Sequence, residues 1–167
     1  MQKNQPTKNE KFFNDGQIII SKTDKIGRII YCNRNFILLS GYKEFELLGK
    51  PHNIVRHPDM PKVVFEILWE GIKNKKEVIA YVKNLSKDGS FYWVLAFITP
   101  SYDASGEIVG YHSMRLNPRR EAVEKIEKIY KELLLEEQKG GKKASRKMLD
   151  EILSQKGMSY EELVLSI

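Results

Sequence analysis

The sequence contains one cysteine, Cys32, among 167 residues. A single cysteine excludes an intramolecular disulfide framework and a metal site built from a cysteine cluster, and it is compatible with a reducing compartment. Cys32 ends an apolar run, so we expect a small buried side chain there. No apolar run reaches the ~18 residues that a membrane span needs, and the polar N-terminus lacks a signal-peptide core. These absences predict a cytoplasmic protein with no membrane span of its own.

An excess of charge of one sign is also missing. The 28 Lys and Arg residues exceed the 22 Asp and Glu residues by only six. No run of five or six basic residues and no nucleic-acid-binding motif occurs, so we expect no nucleic-acid partner. The small basic excess is consistent with simple solubility or with an anionic small ligand. A composition with 41% hydrophobic and 30% charged residues is that of a folded domain.

Motifs that would indicate catalysis are absent as well. The sequence has no G-x-S-x-G, no P-loop, no H-E-x-x-H and no G-x-G-x-x-G. Its three histidines, His52, His57 and His112, do not have a spacing that is typical of metal ligands. We therefore expect neither catalytic residues nor a metal site, and an enzyme is the less favoured interpretation.

The periodicities that are present predict an α+β domain at residues 17–117, after an N-terminal segment at 1–16. Strand-like runs form a first hairpin and, after several short helices, a group of three strands joined by hairpin turns; they lie at 17–21, 28–32, 77–85, 90–101 and 107–115. This order predicts a five-stranded antiparallel sheet with short helices on one face.

The helical part has recognisable ends. Asn33 is expected to cap a short helix that Gly41 stops, and a longer amphipathic helix is predicted at 61–73. Before that helix, three prolines stiffen the segment G-K-P-H-N-I-V-R-H-P-D-M-P at 49–61. This segment allows two interpretations: Asp59 could cap the next helix and pair with Arg56, or the segment could clamp an anion or a heterocycle.

The strand at 90–98 is apolar on both alternating faces, so both faces of the sheet should be covered. The region 118–139 offers an amphipathic helix at 119–138 with a stripe of Val123, Ile126, Tyr130 and Leu133. This stripe could pack on the sheet of its own chain, on a second copy or on a receptor. Gly140 and Gly141 should break the helix, and 140–167 should form a short helical tail.

Several of these segments together resemble the FAD-binding PAS domain of the aerotaxis receptor (Aer) family. The similar stretches are G-K-P-H-N-I-V-R-H-P-D-M-P, the later Trp69, K-N-L-S-K-D-G-S-F-Y-W-V and G-Y-H-S-M-R, within residues 17–117. The resemblance implies a PAS fold that binds FAD. It assigns cofactor binding to the residues that match the family's motif, namely Asn33, Arg56, His57, Asp59, Trp69, Asn84, Tyr92 and Trp93.

Two departures qualify the resemblance, and the sequence also differs from one related group of flavin-binding domains. The sequence ends at Ile167 with neither a membrane anchor nor a signalling coiled coil, so it is similar to the PAS-only, CetB-type proteins of split energy-taxis systems. Phe97 stands where some relatives have a polar residue near the ligand. Light-sensing LOV domains need a cysteine in N-C-R-F-L-Q, whereas this sequence reads N-I-V-R-H-P, so a photochemical cysteine adduct is not expected.

The resemblance therefore implies a cytoplasmic redox or energy-taxis sensor. Its expected partner is a membrane-bound chemoreceptor-like protein, which could recruit it to the inner face of the membrane. A homodimer through the sheet and the helix at 118–139 is a further expectation. The alternatives are a PAS module that binds haem or another small ligand, and a ligand-free PAS interaction domain, because this fold hosts all of these.

Overall fold

The structure is a computed structural model that describes residues 5–167. Five strands form one antiparallel sheet: β1 (Ile19–Asp24), β2 (Ile29–Cys32), β3 (Val78–Leu85), β4 (Phe91–Tyr102) and β5 (Ile108–Leu116). Their order across the sheet is β2-β1-β5-β4-β3, so the N-terminal hairpin lies beside the last strand and β3 forms one edge. The predicted α+β class and five-stranded antiparallel sheet are confirmed.

The helices are α1 (Arg34–Ser40), α2 (Glu44–Leu47), a 3-10 helix (His52–Val55), α3 (Lys62–Lys73), α4 (Arg120–Lys156) and α5 (Tyr160–Ser166). All but the last two lie between β2 and β3 and cover one face of the sheet, which we call the inner face. No helix in the described part of the chain is both long enough and apolar enough to cross a membrane.

The ends of α1 follow the residues that were expected to set them. The Asn33 side chain accepts a hydrogen bond from the Phe36 amide, and Gly41 ends the helix at φ 70°, where a residue without Cβ is favoured. Capping of α3 by Asp59, one of the two interpretations of the segment at 49–61, is wrong. Pro61 is the residue before α3, and the Asp59 carboxylate binds Lys83 on β3 instead of a helix amide. The Lys62 amide at the start of α3 donates to the Glu137 carboxylate of α4 at 2.9 Å.

Two predicted boundaries also differ from the structure. The first strand was expected at 17–21 but runs from Ile19 to Asp24, since its pairing with β5 continues to Gly110. The break at Gly140 and Gly141 is confirmed by their non-helical backbone angles inside α4. The division of the chain into separate units at 16, 117 and 139 stays a prediction.

The opposite, outer face of the sheet is covered by the chain itself. Val123, Ile126, Tyr130 and Leu133 of α4 are all buried, and the Tyr130 ring stacks on Trp93 of β4 with ring centroids 6.2 Å apart. The stripe therefore packs on the sheet of its own chain, and not on a second copy or on a receptor.

The Tyr130 hydroxyl donates to the Tyr81 carbonyl oxygen at 2.8 Å and lies 2.8 Å from the Tyr160 hydroxyl of α5. These bonds satisfy the polar tips of two buried rings. They fix both C-terminal helices against β3, so the outer face near this edge strand is covered by the chain's own helices.

Candidate functional site

A cavity of about 250 Å³ lies between the inner face of the sheet and the short helices. Its walls are largely apolar and come from α3, β3 and β4; they include Leu68, Ile72, Val82, Ala96 and Ile98. A few polar side chains converge on it. An apolar pocket with few polar groups is the usual form of a small-molecule site.

Three of the eight predicted site residues line this cavity: Arg56, Trp69 and Asn84. Each comes from a different element, since Arg56 follows the 3-10 helix, Trp69 lies on α3 and Asn84 lies on β3. An isolated antiparallel bridge joins the backbones of Arg56 and Asn84. The stiff segment at 49–61 is therefore fixed directly to the edge strand beside the cavity.

Packing and hydrogen bonding hold the Arg56 side chain. Its guanidinium carbon lies 3.9 Å from the centroid of the Phe65 ring, and one terminal nitrogen donates to the Met60 carbonyl oxygen at 3.4 Å. Burial lowers the pKa of Arg56, and the carboxylate of Glu137 on α4 partly opposes that shift. Arg56 is only partly buried, so it can present donors at the mouth of the cavity.

Trp69 forms one wall and is packed on two sides. Its ring meets Tyr111 of β5 edge to face, with centroids 5.5 Å apart. On another side lies the hairpin turn at Gly27, which has φ 83°; a Cβ there would lie 3.1 Å from the Trp69 ring. Glycine at this turn thus allows the close approach that closes the cavity beside the indole.

The remaining predicted residues do not line the cavity. Asn33 caps α1, as described above. The His57 ring is buried, and its Nδ1 atom accepts a hydrogen bond from the Asp59 amide at 3.1 Å. Burial raises the pKa of the Asp59 carboxyl, but the hydrogen bond from Lys83 at 2.8 Å outweighs it, so this pKa lies below its ordinary value.

Tyr92 and Trp93 are neighbours on β4 and therefore point to opposite faces. Tyr92 is completely buried on the inner side, and burial raises the pKa of its hydroxyl. Trp93 lies on the outer face against Tyr130, away from the cavity. Contact of these five residues with a cofactor stays a prediction, since the structure brings together only Arg56, Trp69 and Asn84.

Arg115, His52 and Ser113 also line the cavity, although none of them was among the predicted site residues. One terminal nitrogen of Arg115 donates to Ser21 Oγ at 2.7 Å and to His52 Nε2 at 2.6 Å. A guanidinium cannot accept a hydrogen bond, so Nε2 is the acceptor and the proton of neutral His52 is on Nδ1. Burial and the Arg115 charge lower the pKa of His52 to about 3.

For Ser113 and Arg115, the sequence pattern of β5 contained a signal that could have identified them. Tyr111, Ser113 and Arg115 stand at alternate positions, and this period places them on one face of a strand. Their register opposite Thr23, Ser21 and Ile19 of β1 puts that face against the helices. An arginine at an inward position of a central strand was the feature that distinguished this site from ordinary core.

A family model described as the PAS fold matches residues 29–115. The match covers more than half of the chain, and the antiparallel sheet with a cavity under short helices agrees with it. The chain belongs to the PAS family.

Comparison with individual proteins shows which members of the PAS family this chain is similar to. The chain is 40% identical over 119 residues to the aerotaxis receptor of Escherichia coli K12, which covers 71% of this chain and 23% of the receptor. It is 28% identical to a nitrogen fixation regulatory protein of Klebsiella oxytoca, over 59% of this chain and 20% of that protein. The chain thus spans less than a quarter of the length of these curated relatives.

Solved structures agree on the fold. The light-state structure of the blue-light photoreceptor Aureochrome1 LOV aligns with a TM-score of 0.56 and 26% identity, covering 72% of this chain and 91% of that one. A light-oxygen-voltage domain studied with a flavin analogue aligns with a TM-score of 0.58 at 24% identity, over 66% and 83% of the two chains. The chain is thus a PAS sensor domain related to the aerotaxis receptor and to LOV domains.

Proposed function

We propose that the cavity binds the ring system of FAD and that the protein is a redox sensor for energy taxis. The observation that carries this proposal is the convergence of Arg56, Trp69 and Asn84 on one apolar cavity. The same three residues belong to the stretches that resemble the aerotaxis receptor family, and the 40% identity to such a receptor supports the assignment.

The residues present fit a flavin. The cavity of about 250 Å³ lies just below the ~300 Å³ at which pockets for whole small ligands begin, so it suits an enclosed ring with the rest of the dinucleotide outside. Trp69 offers a flat aromatic wall, and Asn84 offers both a donor and an acceptor. Arg56 offers a planar set of donors suited to a pyrophosphate.

FAD, when bound, supplies a ring that accepts and releases electrons at a potential that the surrounding protein tunes. The apolar walls exclude water from that ring. Asn84 is suited to follow a change in the donor and acceptor pattern of the ring, since rotation of its amide exchanges one role for the other.

Haem is the weaker alternative. In the part of the chain that the structure describes, His52 is the histidine that lines the cavity, and its Nε2 already accepts from Arg115 at 2.6 Å. A nitrogen in that position would have to give up this bond to bind iron. A ligand-free module is also disfavoured, because Ser113 presents a buried hydroxyl oxygen with no hydrogen-bond partner among the described residues.

We propose β3 as the route from the cavity to α4. Asn84 and Val82 line the cavity, while the alternate residues Tyr81 and Lys83 face α4. Tyr81 accepts the Tyr130 hydrogen bond, and Lys83 lies 3.7 Å from the Glu127 carboxylate. A shift of β3 would therefore bias the position of α4.

The proposed receiver is the cytoplasmic part of a membrane-bound chemoreceptor-like protein, in keeping with the relation to the aerotaxis receptor. Copurification of the chain with such a receptor fragment tests whether the two proteins bind each other. The account expects the oxidised and reduced forms to differ in retention, and equal retention of both forms would contradict it.

Arg56→Gln and Trp69→Ala test the flavin site. Loss of a charge-assisted hydrogen bond at Arg56 should weaken FAD binding by about 1.5–3 kcal/mol, a factor of roughly 10 to 150. Trp69→Ala should weaken binding through the lost ring contact. Titration of the apoprotein with FAD, followed by flavin fluorescence, measures both.

Arg34→Gln and Phe45→Ala are matched controls, because both side chains are exposed and lie away from the cavity. They should bind FAD like the wild type. Unchanged affinity in both Arg56→Gln and Trp69→Ala, with circular dichroism showing folded protein, would remove the basis for this site.

A further inference from the structure

Arg115 is a deeply buried cation on the inner face of the sheet. Its side chain is 4% exposed, and its second terminal nitrogen, Nη1, has no hydrogen-bond partner among the described residues. In the same part of the chain no carboxylate lies within ion-pair distance of it. Burial of an unpaired charge is unfavourable, and an unmade hydrogen bond adds to the cost.

The surroundings hold this guanidinium in place without neutralising it. Ser21 and His52 accept from one terminal nitrogen, and the Phe36 ring lies 5.2 Å from the guanidinium carbon. His52 is neutral in this arrangement, and Tyr92 keeps its proton because it is completely buried. The positive charge on the cavity lining is thus fixed, and no described residue of the chain compensates it.

The two arginines of the cavity differ in depth. Arg56 is partly exposed, whereas Arg115 is buried on the central strand β5. A dinucleotide whose ring enters first places its phosphates near the mouth. Its permanent negative charges would therefore meet Arg56, and Arg115 would meet the ring.

We propose that Arg115 is the residue that makes the cavity prefer the reduced, negatively charged form of the flavin ring, with Nη1 as the donor to that charge. This inference rests on the proposed flavin site. Two electrons and one proton, taken from a cellular two-electron reductant, leave the ring with one negative charge. A second proton would leave it neutral, so a nearby fixed cation favours the anion.

Arg115 then differs from Arg56 in whether it distinguishes the oxidised from the reduced flavin. Arg56 binds phosphates that carry the same charge in both redox states, so it stabilises the oxidised and reduced complexes equally. Arg115 binds a charge that exists only after reduction. Unequal affinity for two states is what shifts an equilibrium between them.

Potentiometric titration of the full chain, with dithionite as the reductant, tests the proposal with both FAD and riboflavin. Wild-type protein should bind the reduced ring at least tenfold more tightly than the oxidised ring, which raises the midpoint potential at least ~30 mV above that of free flavin. Riboflavin should show the same shift, because it has the ring but no phosphate.

Variants separate the two arginines. Arg115→Gln should lose the tenfold preference for both flavins, and Arg115→Lys should keep most of it because the charge remains. Arg56→Gln should weaken FAD in both redox states, leave riboflavin affinity unchanged and leave the midpoint potential where it was.

A wild-type potential at or below that of free flavin would overturn the role of Arg115, whether or not Arg115→Gln folds. An unchanged preference in folded Arg115→Gln would overturn it as well. Both results leave the flavin site standing, whereas wild-type protein that binds neither FAD nor riboflavin overturns the proposed function itself.

Discussion

Two buried cations stand on opposite faces of the same sheet. Lys83 on the outer face is 6% exposed, and its Nζ atom lies 2.8 Å from Asp59 and 3.7 Å from Glu127. Arg115 on the inner face is 4% exposed and has no carboxylate neighbour among the described residues. A paired buried charge connects structural elements, whereas an unpaired one beside a cavity indicates a ligand that completes it.

The aromatic residues show the same difference. On the outer face, Trp93, Tyr130 and Tyr160 pack closely, and both tyrosine hydroxyls are hydrogen-bonded. On the inner face, Trp69 and Tyr111 meet edge to face and leave space beside them. Stability should therefore be concentrated in the outer interface and binding in the inner one.

Leu133→Ala should give the largest effect on stability. Leu133 lies on α4 and its side chain is completely buried, so its truncation should lower the free energy of unfolding by about 2–5 kcal/mol. Urea denaturation followed by circular dichroism measures it. Leu135→Ala on the same helix is the control, since Leu135 is 56% exposed and should change stability by less than ~0.5 kcal/mol.

The folded Leu133→Ala protein should still bind FAD, because the outer interface lies on the far side of the sheet. Similar unfolding free energies for the two leucine variants would show that α4 does not pack on its own sheet. The apolar stripe would then be available to a second copy or to a partner.

His52 should make stability depend on pH. Its folded pKa of about 3 lies below the ordinary 6.5, so between these values the unfolded chain binds a proton that the folded chain does not. Stability should therefore fall as the pH decreases below 6.5, by on the order of 1 kcal/mol per pH unit.

Urea denaturation at pH 6.5 and pH 5.5 measures this slope, and His52→Gln should flatten it. His112→Gln is the comparison on the outer side; burial also lowers the pKa of His112, but less, so its effect should be smaller. Equal slopes for wild type and His52→Gln would contradict the neutral His52 bonded to Arg115.

The smallest expected effect concerns the Lys83–Asp59 pair. The pKa of Asp59 is lowered in the folded state, so the pair contributes stability above the ordinary value of 3.8 and loses it as the pH falls through the lower folded pKa. The difference in unfolding free energy between the wild type and Lys83→Met measures the contribution of the pair. This difference should shrink by less than ~1 kcal/mol between pH 7 and pH 3. A constant difference across this range, measured by urea denaturation, would argue against the pair.

Local sequence signals predicted most of the fold. The apolar runs, the hairpin turns, the Asn33 cap and the Gly140–Gly141 break each depend on neighbouring residues, and the structure contains all of them. The start of α3 was predicted to within one residue, but the capping role of Asp59 was not, because Asp59 can bond either to the next helix or to a distant strand. Lys83, 24 residues later in the chain, decides that choice.

Local sequence signals also predicted part of the candidate site. Arg56, Trp69 and Asn84 belong to distinctive local stretches, whereas Arg115 becomes notable only when β5 is placed beside β1 and the 3-10 helix. Trp93 was expected at the cofactor because it matches the Tyr-Trp pair of the family that the sequence resembles. Strand alternation puts only one of two neighbours on the inner face, and that one is Tyr92.

Identification of the chromophore tests the central claim most directly. The full chain is purified, its absorption spectrum is recorded, and any bound cofactor is released by heat and separated by chromatography. The account predicts the absorption bands of oxidised flavin, and FAD in the released fraction at close to one molecule per chain after reconstitution. Recovery of haem, or a chain that stays colourless after incubation with excess FAD, would contradict it.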